Sequence, residues 1–338
     1  MVKMVGKKNG IPAFIQMLKF RSDRSFFVGA IFLGIVPLFA RDPYILNVLI
    51  ISMIFAILAA SWNLIIGYTG MVTLGHQGFF GIGCYVSALL AMKAGISPWL
   101  GLIIAGIIAA IFGFIIGLPC LRLRAAPYIA IMTLAFAEIA RVTCMNLPNY
   151  TRGESGLWGI PNFPDVNLPV IGIIKFGGVD RTPPYYLILI IFTTTMLFLH
   201  YTINSHVGLA LRSIRDSQDA AESLGINVTF YKLRAFVTGS FFAGVVGSFY
   251  AHYLTIITPS SVFPIGVMVE IMAIATIGGL GTFLGPVLGA LLLTGGLEYL
   301  RFLGEYRFMT YGILIVLVLL FMPQGLGRLL FRDKEIVE

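Results

Sequence analysis

Residues 43–92 contain no Asp, Glu, Lys or Arg, and neither do residues 182–211 or 235–269. About 20 apolar residues cross a bilayer, so each stretch holds one or two crossings. A backbone in hydrocarbon must satisfy its own hydrogen bonds, which here means helices. Composition agrees: 58% of the 338 residues are hydrophobic and 11% charged, against about 25% charged in soluble domains. A water-soluble monomer of this size would leave too much apolar surface exposed. The class expected is all-α, a polytopic membrane protein.

Apolar runs predict about ten transmembrane helices, near 26–40, 44–66, 78–93, 99–118, 127–146, 185–201, 235–257, 265–278, 286–300 and 308–322. With the N-terminus inside, the loops alternate so that 15 of the 23 Lys and Arg face the cytoplasm. Short cytoplasmic loops collect such residues, so both termini are expected to be cytoplasmic. The expected organisation is a basic N-terminal segment (1–25), one transmembrane domain (26–325) and a cytoplasmic tail (326–338). The basic segment is long for the start of a signal peptide and no small-residue cleavage site follows, so no cleavage is expected. The net charge of +8 lies in loops between apolar runs, which membrane topology explains without nucleic acid.

Two hydrophilic loops stand out. The external one, 147–184, is rich in Gly and Pro and reads as turns. The internal one, 202–234, contains a stretch without Gly or Pro, from Ser213 to Leu224, followed by Gly225 where a helix C-cap is expected. It predicts one amphipathic helix over about 209–224, with Leu211, Ile214, Ala221 and Leu224 on its apolar stripe. Glycines cluster between Gly67 and Gly83 and between Gly278 and Gly289. Dense glycine permits close helix packing or a broken, re-entrant backbone. The Gly113/Gly117 and Gly285/Gly289 pairs read as packing.

Several chemistries find no support. The scattered Cys84, Cys120 and Cys144 give no disulfide framework and no metal site. No lysine sits in a Gly-Lys-Ser/Thr phosphate loop, so no cofactor is expected on this chain and any ATP must be hydrolysed by a partner. His76, His200, His206 and His252 lack acidic neighbours, and no nucleophile–base pair suggests an intramembrane enzyme. Ionisable groups at membrane depth are functional suspects. Glu138 and Arg141 lie three apart and can pair, Glu298 lies beside Arg301, and Glu270 stands alone in an apolar run. An ion-coupled secondary carrier of amino acids or other small polar solutes, with Glu270 as its coupling site, is therefore the competing hypothesis.

The internal loop carries Asp219-Ala220-Ala221-x-x-x-Gly225, which resembles the acidic-Ala-Ala-x3-Gly loop of ABC importer permeases. Further similarity lies in Ser61-Trp62-Asn63-Leu64, Leu121-Arg122-Leu123-Arg124, Thr133 through Ile139, Gly156-Leu157-Trp158-Gly159-Ile160-Pro161, Lys232 through Phe236 and Gly278 through Pro286. Together these are identified with permease subunits of branched-chain amino acid ABC transporters of the LivM type, over most of residues 44–325. Gln77 departs from the small residue frequent at its position, as Ala126 departs from the Gly common before Pro127.

The resemblance implies a prokaryotic inner-membrane permease importing Leu, Ile and Val, embedded in membrane lipid. Its implied partners are a second, LivH-like permease, two cytoplasmic ATPases and an extracytoplasmic solute-binding protein. It places Asp216, Asp219, Ala220, Ala221 and Gly225 at the ATPase contact, with residues 147–164 helping to receive the binding protein. His76, Phe79, Glu138 and Glu270 are the candidates for the translocation pathway or its support.

Overall fold

The computed structural model describes residues 29, 31–39 and 42–299 except 124–125, 169–171 and 179, together with 312, 316 and 325. The N-terminal segment, the tail and all but residues 312 and 316 of the crossing expected at 308–322 lie outside the described residues, as does the side chain of Glu298. After a helical stretch over 31–39, the main helices are α1 (Pro43–Thr69), α2 (His76–Ala94), α3 (Pro98–Cys120), α4 (Ala126–Asn146), α5 (Thr182–Ile203), α6 (His206–Asp216), α7 (Gln218–Ser223), α8 (Val228–Leu254), α9 (Ile265–Gly278) and α10 (Gly285–Tyr299). Single helical turns at Pro148–Thr151 and Pro259–Val262 and a 3-10 turn at Gly153–Ser155 accompany them.

Among the described residues six helices are long and apolar enough to span a membrane: α1, α3, α4, α5, α8 and the run Pro259–Gly278 that includes α9. The α2 and α10 segments stand at expected crossings but outside that set: α2 has the polar His76 and Gln77 at its start and Lys93 near its end, and α10 is only 15 residues long. α8 starts at Val228, seven residues before the expected crossing at 235, and so takes up the end of the internal loop.

The boundaries follow local chemistry. Asp42 caps α1 by accepting a hydrogen bond from the Tyr44 N–H at 2.9 Å, with Pro43 in the first turn, where its missing N–H costs nothing. Gly70 ends α1 at φ +72°. The chain then turns back beside α1 instead of leaving the bundle. Trp62 Nε1 donates to the Thr73 carbonyl at 3.0 Å, Leu74 N–H donates to Thr133 Oγ1 at 2.9 Å, and His76 Nε2 meets Ser61 Oγ at 2.9 Å. Ser61 lies eight residues before the end of α1, or about 12 Å at 1.5 Å per residue. α2 therefore begins inside the bundle, as the glycine cluster allows.

α1, α2, α3 and α8 form the centre, with α5 and the α9–α10 hairpin against α1 and α4 against α2. Small residues set the crossings. A Cβ on Gly83 would overlap Gly244 of α8, and one on Gly113 would overlap Ser240. Polar side chains bind the same crossing: Ser248 Oγ donates to Ser87 Oγ at 2.7 Å, and Ser87 Oγ lies 2.8 Å from His252 Nε2. His252 Nδ1 is 2.7 Å from the Pro161 carbonyl, which can only accept. That bond puts the ring proton on Nδ1, so Nε2 accepts from Ser87 and the chain of bonds closes. Satisfied polar groups are what a buried interhelical contact requires.

The 147–184 loop contains strand structure as well as turns. β1 (Leu157–Trp158) pairs antiparallel with β4 (Ile256–Ile257), and β2 (Val166–Leu168) with β3 (Gly172–Ile174). The first pair ties this loop to the end of α8.

Candidate functional site

The segment from α5 to α8 forms a corner at the end of the bundle where α1 and α9 also finish. The single helix expected over 209–224 is two. Ser217 is extended (φ −158°, ψ 112°) and its side chain accepts from Ala220 N–H, capping α7, so a hydroxyl that prefers the cap position breaks the run. Ser205 caps α6 in the same way. At the far end Gly225 has φ +82°, its N–H reaches the Glu222 carbonyl at 2.9 Å, and Ile226 N–H reaches the Ala221 carbonyl at 3.0 Å. This pair of bonds is a Schellman closure, which favours glycine because that conformation carries little penalty without a Cβ.

The break redistributes the faces. Leu211, Ile214 and Ala221 are buried as expected, but Leu224 is 81% exposed, on the αR-like residue just before the glycine turn. Asp216, Asp219, Ala220 and Gly225 are exposed, while Ala221 packs with Ile214 and Val228. The two alanines cannot form one flat surface, since adjacent helical residues point apart. The corner thus presents Asp216, Asp219, Ala220, Gly225 and Leu224 outward together, with Phe230 exposed on the first turn of α8. Lys232 Nζ donates to Gln218 Oε1 at 2.7 Å and holds α7 against α8.

Sequence reasoning missed the anchor of this corner. Arg215 Nη1 donates to the Gly67 carbonyl near the end of α1, and Arg212 lies over the Tyr68 ring, 5.7 Å from its centroid. Asn63, one turn before Gly67, donates to the Thr282 carbonyl at 2.9 Å and accepts from Gly281 N–H at 2.8 Å. A side chain on Gly67 or Gly281 would strike this network. The corner, α1 and the α9–α10 return are therefore joined by one run of hydrogen bonds. The available signal was an Asn within an uncharged, mostly apolar span, since such a group needs partners.

The pathway candidates do not form one cluster. His76 and Phe79 are buried in the core; Phe79 meets Phe136 and Phe236 with ring centroids 4.9 Å and 5.5 Å apart. His76 Nδ1 and Gln77 Oε1 have no partner among the described residues. Glu138 is on the open face of α4, paired with Arg141. Glu270 is half-buried on α9 without a hydrogen bond or ion pair among the described residues.

Apolar helices of spanning length, a broken helix and a corner exposed at one end are the features of a multi-pass membrane protein. Residues 44–322 match the family described as branched-chain amino acid transport system / permease component, and this chain belongs to that family. It is 32% identical to the high-affinity branched-chain amino acid permease protein LivM of Escherichia coli (strain K12) over 319 residues, covering 90% of this chain and 75% of the relative. It is 28% identical to LivH of the same organism over 294 residues, 81% of this chain and 91% of the relative. The nucleoside ABC transporter permease NupC of Lactococcus lactis is 27% identical over 197 residues, 55% of this chain and 60% of the relative. No solved structure matches the chain.

Proposed function

We propose that this chain is the LivM-like membrane subunit of an ATP-driven importer of branched-chain amino acids in a prokaryotic inner membrane. It pairs with a LivH-like permease, carries both termini and the α6–α7 corner on the cytoplasmic side, and crosses the membrane about ten times. Two partner ATPases hydrolyse the ATP, which this chain does not bind, and an extracytoplasmic binding protein delivers the amino acid to the 147–164 side.

The observation that supports this reading most is the construction of the corner. Exposed Leu224 and Phe230 beside Asp216 and Asp219 offer apolar and charged contacts to a docking protein. Behind them, Arg215 and Asn63 link that surface to α1 and to the α9–α10 return. A push on α6 and α7 thus reaches the transmembrane helices through rigid elements, as a two-state gate requires.

Replacing Gly225 tests the reading. A Cβ there meets no atom within 4 Å, so the penalty lies in the backbone at φ +82° and in any bulk offered to the partner. In proteoliposomes with the partner subunits, Gly225→Trp is expected to assemble, keep basal ATP hydrolysis within about two-fold and lose most leucine uptake. Unchanged uptake would count against docking at this corner.

A further inference from the structure

α4 has the least buried window among the membrane-length helices, with 28% of it inside the protein, against 78% for α1. Its open side is a single helical face of Tyr128, Ile131, Ala135, Glu138, Ile139 and Val142, recurring at the three-and-four spacing that puts side chains in one row. On this face Arg141 Nε donates to both carboxylate oxygens of Glu138 at 3.0 Å, and Nη2 donates to Oε1 at 2.5 Å. The Glu138 side chain remains 54% exposed and that of Arg141 28%.

The depth of the pair follows from its neighbours. Gly78, in the first turn of α2, packs against Ala137 and Phe136, and that turn begins about 12 Å in from the end of α1 at 1.5 Å per residue. Glu138 is the next residue along α4, eight residues or about 12 Å before its end at Asn146, so its carboxylate stands at the level of the bundle interior with Arg141 one turn nearer that end. Charged groups at such depth face water-lined or protein-covered surfaces instead of hydrocarbon. An open face carrying such a pair suits a surface that lines a water-filled route or meets a partner chain.

We propose that Glu138 and Arg141 are the membrane-depth contact for a zwitterionic aliphatic amino acid. Glu138 takes the α-ammonium group, the Arg141 fork takes the α-carboxylate, and the side chain of the amino acid lies on Ala135 and Ile139. Without substrate the two groups neutralise one another, so the empty route holds no unpaired charge. A nucleoside has no such pair of charges to offer. The inference rests on the permease reading above and names the chemistry its pathway selects.

The test uses the whole transporter in proteoliposomes, with leucine-loaded binding protein outside and ATP available to the ATPases. Glu138→Gln and Arg141→Gln are each expected to lower leucine uptake at least ten-fold, and the double variant Glu138→Gln/Arg141→Gln to stay equally low. ATP hydrolysis stimulated by the binding protein should remain within two-fold throughout, showing that assembly and docking survive. Glu138→Asp and Arg141→Lys, which keep the charges and guard against a folding defect, should retain a third of the uptake or more. Recovery of wild-type uptake in the double variant would overturn the inference, because it would show the pair serving only to neutralise itself; so would wild-type uptake in both single variants. Absence of ATP-driven uptake by the wild-type complex would instead bring down the permease reading, and this inference with it.

Discussion

α1 and α4 are both apolar helices long enough to cross the membrane, yet they treat polar groups in opposite ways. α1 is packed on most sides, and its Ser61, Trp62 and Asn63 spend their hydrogen-bonding capacity on the two glycine-rich returns beside it. α4 keeps a face open and places the ion pair of Glu138 and Arg141 on it. The difference separates a scaffold from a surface: polar atoms on α1 decide where neighbouring backbone goes, and those on α4 pair with each other on an exposed face.

The contrast is sharpest in how each region tolerates bulk. Gly83→Val drives a side chain of the α2–α8 crossing into Gly244 backbone, and overpacking of that kind is expected to cost about 3 kcal/mol or more. Ala135→Val on the open face of α4 should stay within about 0.5 kcal/mol. Thermal unfolding of the two variants in detergent checks this, and equal shifts would remove the distinction between scaffold and surface.

A smaller effect is expected at Asn63. Asn63→Leu leaves Gly281 N–H and the Thr282 carbonyl without their partner, at a cost of about 2 kcal/mol for the polar groups left unpaired. Hydrogen exchange should locate the loosening in residues 279–285. If exchange rises evenly over the bundle, Asn63 does not hold that return specifically.

The smallest change in stability is expected at Arg215, whose bond to Gly67 sits near the bundle end, where solvent screens it. Arg215→Gln should cost about 1 kcal/mol or less, yet lower the leucine taken up per ATP several-fold, because the corner then moves without drawing α1 along. A ratio equal to that of the wild type would show that the force travels by another contact.

Much of the helical layout was legible in the chain itself, because an uncharged run of twenty apolar residues has few alternatives in lipid. Less was legible at the corner. Ser217 is a common residue inside surface helices, and only its cap to Ala220 N–H makes it a break. Leu224 looked like part of the buried stripe until that break turned it outward. The Asp216–Gly225 segment was marked by its motif, while Arg215 beside it gave no sign of its role, since the partner is a backbone carbonyl 148 residues away.

Residue pattern alone established that the chain lives in a membrane, where its apolar runs lie, which loops carry the positive charge and which family it resembles. Those follow from transfer free energies and local spacing, which act residue by residue. Tertiary structure decided that α2 starts inside the bundle, that Asn63 and Arg215 join three elements, and that Glu138 faces outward at the depth of Gly78. Each of these is a relation between segments far apart in the chain, set by which helices pack together, and no local preference encodes it.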